Sequence, residues 1–175
     1  LLAAERALEG AGLDEVWFMP VNVPPHKPDA PQASPLDRLR MTELAVAGNP
    51  RFKATDVELR KGGTSYTVET MEMLIREHAG TDFYYIIGAD MVMYLPRWHR
   101  IGDLVGMVRF IGLKRPGFEL DLEQLPEYIR NRITIIPMPE IGISSTDIRM
   151  RLSRRQSVRY MVPDPVLAYI ERNGL

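Results

Sequence analysis

The chain has 175 residues, 45% of them hydrophobic, which is enough for one domain with a substantial core. A formal net charge of −1 at pH 7 excludes a broad electrostatic grip on nucleic acid but leaves room for a local basic pocket. There is no cysteine, which excludes disulfides, zinc–thiolate sites and thiol catalysis, and no apolar run near the ~20 residues that span a bilayer.

Taken in order, Leu1 to Leu8 has a helical pattern with no capping residue ahead of it and no initiator Met, so the chain reads as cut within an element. Glu15 to Pro20 reads as a short buried strand, and the Pro-rich stretch 21–34 excludes regular structure. Pro35 to Ala47 has helix periodicity, with Leu36, Leu39, Leu44 and Ala47 on the apolar side. Phe52 to Leu59 reads as a strand, followed by a turn at Lys61-Gly62-Gly63; Ser65 or Thr67 then caps a helix running to about His78. Phe83 to Gly88 is a continuous apolar strand of the kind covered on both faces, and it leads into a short helix interrupted at Pro96. Strands at Val108–Leu113 and Ile133–Met138 flank a helix at Glu123–Arg130. Ser144 opens a helix that carries Arg149 and Arg151, and the last helix is capped by Asp164 and ends at Asn173-Gly174. Alternating strands and helices predict a single α/β domain over 1–175 with a doubly wound parallel sheet, and such sheets bind ligands beyond the carboxyl ends of their strands.

The unusual polar groups fall at those ends. Ser144 and Ser145 bring short hydroxyls to a helix N-terminus, where free N–H groups and the helix dipole favour an anion, and Arg149 lies on the same face. The ordinary alternative is a capping box closed by Asp147, with Arg149 a solvated charge. His26 and Lys27, with Asn22 nearby, sit on a Pro-stiffened loop and can donate to phosphate, or are incidental surface charges. Asp90 suits a ribose hydroxyl, with Gly88 allowing close approach, or simply caps the next helix. Trp98 can stack on a flat ring or pack in the core; Thr67 can bind an anion or cap; Arg115 can grip a phosphate or flank a turn. The three histidines have no zinc spacing, and neither a Walker A loop nor a G-x-S-x-G elbow is present.

Seven segments together carry a resemblance. They are Met19-Pro20 through Pro24-Pro25-His26-Lys27-Pro28, Gly63-Thr64-Ser65-Tyr66-Thr67, Ile86-Ile87-Gly88-Ala89-Asp90, Leu95-Pro96-Arg97-Trp98-His99, Lys114-Arg115-Pro116-Gly117, Ile143-Ser144-Ser145-Thr146-Asp147-Ile148-Arg149 and Arg159-Tyr160-Met161-Val162-Pro163. In this order they resemble the bacterial nicotinate-nucleotide adenylyltransferases, of the nucleotidyltransferase superfamily with a Rossmann-like fold. The resemblance implies adenylyl transfer from ATP, with Mg2+, to nicotinate mononucleotide, giving deamido-NAD and pyrophosphate in NAD biosynthesis. It assigns Ser144, Ser145, Arg149, His26, Lys27, Gly88 and Asp90 to ATP, with Arg149 and His26 as charge stabilisers. Asn22, Thr67, Trp98 and Arg115 go to the mononucleotide, and no protein side chain holds the metal. The family's Gly-rich first loop, ending in His-x-Gly-His, is absent, so a first strand and loop of about 20 residues are expected to be missing. A cytoplasmic enzyme without membrane or nucleic-acid partners is expected, and homo-oligomerisation stays open. A sister enzyme acting on nicotinamide mononucleotide or phosphopantetheine is the alternative within the class; a non-catalytic nucleotide-binding module is the alternative outside it.

Overall fold

The computed structural model describes residues 1–23, 33–117 and 119–175. The elements in chain order are α1 (Leu2–Gly10), β1 (Val16–Phe18), α2 (Pro35–Val46), β2 (Phe52–Ala54), α3 (Val57–Lys61), α4 (Thr67–Glu77), β3 (Phe83–Gly88), α5 (Ala89–Val92), α6 (Ile101–Met107), β4 (Val108–Lys114), α7 (Glu127–Arg130), β5 (Ile133–Pro137), α8 (Ser145–Ser153) and α9 (Asp164–Asn173). All strand pairing is parallel, in a two-stranded sheet β1-β2 and a three-stranded sheet β3-β4-β5. The expected α/β parallel architecture is therefore present, with helices on both sheet faces.

β4 shows how the layers are made, because successive strand residues point to opposite faces. Phe110, fully buried, faces a core that also holds Val68 and Leu74 of α4, Val92 of α5 and Leu104 of α6. Its neighbour Ile111, also fully buried, faces Ala7 of α1 and Ile136 of β5. α1 ties the two sheets together: Ala4 and Leu8 pack with Val16 of β1 and Phe52 of β2, while Ala7 reaches β4 and β5. At its end Gly10 lies so close to β5 that an added Cβ would stand 2.9 Å from Ile136 Cδ1.

Between β1 and β3 the sheets are separated by a cavity of about 620 Å³, bordered by Val16, Trp17, Phe83 and Tyr85 and reached by Glu58. Among the described residues β1 pairs only with β2 and β3 only with β4, so the two strand edges that border the cavity are unpaired.

Several expectations need correction. The strand expected over 52–59 stops at Ala54, and Val57–Lys61 is helix, because Glu58-Leu59-Arg60-Lys61 are strong helix formers and Val57 is drawn into the core. α6 was not expected: Ile101 to Met107 contains Gly102 and Gly106 and becomes helical because Ile101, Leu104 and Val105 bury one face. The helix expected over 123–130 is divided at Pro126 into a 3-10 turn, Leu122–Gln124, and α7. In α2 only Val46 is buried; Leu36 is 74% exposed and Ala47 is exposed, so the expected apolar side is largely open. β3 is buried only at Ile87 because its cavity side is uncovered. Asp164 is the first residue of α9, not its cap.

Candidate active site

The carboxyl ends of β1, β3, β4 and β5 carry the residues singled out from sequence. After β1, Asn22 is clasped to the segment before α4. Its backbone N–H donates to Ser65 Oγ at 2.9 Å, its side-chain amide donates to the Gly63 carbonyl at 3.0 Å, and Ser65 N–H donates to the Val23 carbonyl at 2.9 Å. Arg38 of α2 donates to the carbonyls of Val21 and Asn22 from the other side. Gly62 and Gly63, at φ 70° and 64°, make the turn that brings the segment back, a conformation that side chains disfavour. Lys61 secures it by donating to the Thr64 carbonyl at 2.8 Å and to Glu69 at 2.7 Å, and this bond holds the Glu69 carboxyl below its ordinary range.

Neither Ser65 nor Thr67 caps α4. Ser65 is spent on Asn22, Tyr66 occupies the cap position, and Thr67 is the first helical residue. Thr67 lies beside the Tyr85 phenol of β3. Burial pushes that phenol up, the Thr67 hydroxyl works against the shift, and the Glu58 charge adds to it. Trp98 meets Tyr85 edge-on at 5.6 Å and Phe110 at 6.3 Å, and Tyr66 lies against His99 at 4.5 Å. Asn22, Thr67 and Trp98 therefore belong to one contiguous patch, linked through Ser65 and Tyr85. Trp98 is half-buried and packs on the core by its edge contacts.

Gly88 ends β3, and the Asp90 carboxylate folds back over it: a Cβ on Gly88 would stand 2.4 Å from Asp90 Oδ1. Any side chain at position 88 would therefore displace the exposed Asp90 carboxylate from this place. Arg115 follows β4 and is exposed. Beyond β5, Ser144 Oγ accepts from the Asp147 N–H at 3.1 Å, so Ser144 is the cap of α8. The capping box is not closed, because Asp147 turns instead to Arg151 at 3.2 Å. The exposed amides of Ser145 and Thr146 have no hydrogen-bond partner among the described residues, and exposed Arg149 has no ion pair there. Two free N–H groups, a dipole and an unneutralised guanidinium suit an anion. His26 and Lys27 lie outside the described residues.

Sequence reasoning missed Glu58 and Tyr85. Tyr85 could have been found by its position in an otherwise apolar strand. Glu58 gave no such signal, since it is buried by packing of α3 with distant parts of the chain, α4 among them.

A family model described as cytidylyltransferase-like matches residues 1–151. A Geobacillus kaustophilus protein called a probable nicotinate-nucleotide adenylyltransferase is 45% identical over 175 residues, covering 100% of this chain and 78% of the relative. The Bacillus subtilis nicotinate-nucleotide adenylyltransferase is 39% identical over the same length, covering 89% of that protein. Among solved structures, a Plasmodium falciparum nicotinic acid mononucleotide adenylyltransferase complexed with NaAD superposes with a TM-score of 0.74 over 99% of this chain and 89% of that one, at 19% identity, a likeness of fold.

Proposed function

Since the chain belongs to the nicotinate-nucleotide adenylyltransferases of the cytidylyltransferase-like family, we propose that it transfers the adenylyl group of ATP to nicotinate mononucleotide, the residues above dividing between the two substrates. The observation that carries this reading is identity of 45% along the whole chain to a relative so named, joined to polar groups gathered where parallel strands end. A phosphate oxygen of the mononucleotide attacks the α-phosphorus of ATP in line. The new P–O bond forms as the bond to the β-phosphate oxygen breaks, and pyrophosphate leaves with that electron pair. The nucleophile is already anionic, so positioning and charge neutralisation supply most of the catalysis.

In this scheme the amides and hydroxyls of Ser144 and Ser145 receive phosphate oxygens, and Arg149 neutralises the leaving group together with His26 and Lys27. Gly88 and Asp90 take the ribose. Asn22, Thr67, Trp98 and Arg115 hold the mononucleotide. Among the described residues no group of three or more His, Asp or Glu side chains is arranged to hold a metal ion. As the family resemblance implies, Mg2+ is proposed to arrive on the ATP phosphates, and no step is derived through it. We also propose one domain completed by a further parallel strand in the cavity between β1 and β3, where two unpaired edges face it. Among the described residues no helix is long and apolar enough to cross a membrane; a cytoplasmic location is proposed from the family resemblance alone.

The test of substrate choice is pyrophosphate release by the full encoded polypeptide with nicotinate and nicotinamide mononucleotides side by side. Nicotinate is expected to give at least a tenfold higher kcat/KM; parity, or preference for nicotinamide, would overturn the assignment. Trp98→Ala should weaken mononucleotide binding by about 1–3 kcal/mol by calorimetry, with ATP-analogue binding unchanged. A loss of thermal stability with undiminished mononucleotide binding would make Trp98 a packing residue only.

A further inference from the structure

The peptide unit between Val21 and Asn22 is gripped at both of its polar ends. Its carbonyl accepts from Arg38 Nη1 of α2, and its N–H, the Asn22 amide, donates to Ser65 Oγ at 2.9 Å. The unit is trans, so it is planar with its C=O and N–H pointing in opposite directions. A donor that fixes the direction of the carbonyl therefore fixes that of the N–H as well. The same guanidinium also holds the next carbonyl, that of Asn22, from Nη2 at 3.4 Å. Its forked donors suit two successive carbonyls, and its charge strengthens both bonds.

The link is anchored on each side. In α2, Ser34 Oγ caps the helix by accepting from the Asp37 N–H at 3.1 Å, Asp37 accepts from the Tyr169 hydroxyl of α9 at 2.8 Å, and the Thr42 hydroxyl donates to the Arg38 carbonyl at 2.8 Å. On the other side Ser65 is buried, so water cannot readily replace an Asn22 amide that turns away from it. Ser65 stands two residues before Thr67, the first residue of α4, and Tyr66 between them lies against His99, the neighbour of Trp98. The hydrogen bonds thus run unbroken from α2 through Asn22 to the start of α4.

We propose that Arg38 is a positioning residue for the nicotinate mononucleotide end of the site: by holding the Val21 and Asn22 carbonyls it sets the peptide plane whose N–H grips Ser65, and with it the places of Asn22 and Thr67. The proposal rests on the functional reading above and deepens it. An unbranched apolar side chain at position 38 keeps the length of the stem and removes every donor. The Val21–Asn22 peptide can then rotate, and the Asn22 amide loses its aim at Ser65.

The experiment is a double-mutant cycle in the full encoded polypeptide, with Arg38→Met and Ser65→Ala made singly and together. Calorimetry measures the binding of nicotinate mononucleotide and of a non-hydrolysable ATP analogue, with thermal midpoints in parallel. R38M should weaken mononucleotide binding by roughly tenfold, the scale of one lost charge-assisted hydrogen bond. ATP-analogue affinity should stay within about threefold, since these bonds reach neither the α8 tip nor Gly88 and Asp90. In the S65A background the same change should cost about threefold or less, because its route is already cut. A larger loss there, or a lowered midpoint with both affinities falling together, makes Arg38 a structural residue and overturns the proposal. Should R38M fail to fold, R38K, whose single ammonium cannot span both carbonyls, carries the same cycle with about a threefold loss expected and none in the S65A background. A wild type that binds both ligands while the Arg38 variant binds the mononucleotide undiminished overturns this inference alone. A wild type that binds neither ligand overturns the functional reading and this inference with it.

Discussion

Arg149→Ala is expected to lower turnover by roughly 100-fold or more while changing the KM for nicotinate mononucleotide little. The reason lies in when the charge appears. Among the described residues Arg149 has no ion pair, whereas Arg151 of the same helix is engaged by Asp147 at 3.2 Å. Pyrophosphate gains negative charge only as the bond to the α-phosphorus breaks, so a guanidinium aimed at it strengthens its interaction in the transition state. That differential raises kcat rather than affinity. Arg149→Lys should recover part of the loss, since it restores a point charge without the two-pronged fork. Steady-state pyrophosphate release by the full encoded polypeptide is the measurement. Unchanged turnover in the alanine variant would remove Arg149 from the chemistry.

The largest stability effect is expected at Phe110. It is fully buried at the centre of β4, paired in register with Tyr85 on one side and Ile133 on the other, and it supports Trp98 at 6.3 Å. Phe110→Ala removes a ring from a close-packed site and leaves a cavity, at a cost of about 3–5 kcal/mol. That is a large share of the roughly 5–15 kcal/mol that holds a typical domain folded. Urea unfolding followed by circular dichroism should show the midpoint falling with little change in slope. A loss below about 1 kcal/mol would mean that the core collapses around the missing ring more readily than its packing implies.

What the sequence could tell depended on how local the cause was. The strand Phe83–Gly88 was legible to the residue, because an apolar run ending in glycine needs no tertiary information. α9 was nearly so, with Pro165 in its first turn and Gly174, at φ 65°, ending it. α6 was not, since a seven-residue segment with two glycines is helical only because its neighbours bury it. The site followed the same division. Ser144 was recognisable as a cap, and Gly88 and Arg115 took their places once the strands before them were known. Ser65 was misassigned because its partner is the distant Asn22. Glu58 was invisible because its partner is Thr70 of α4, twelve residues on.

The clasp between Asn22 and the Gly63–Ser65 turn has a thermodynamic consequence for ligand binding. Its hydrogen bonds are already made in the free protein, so the entropy of ordering those two segments is spent during folding and not at encounter with substrate. The tip of α8 differs, since two of its amides and the Arg149 guanidinium have no partner among the described residues. On the proposed division of the substrates, one half of the site is preorganised and the other would be completed by its own ligand.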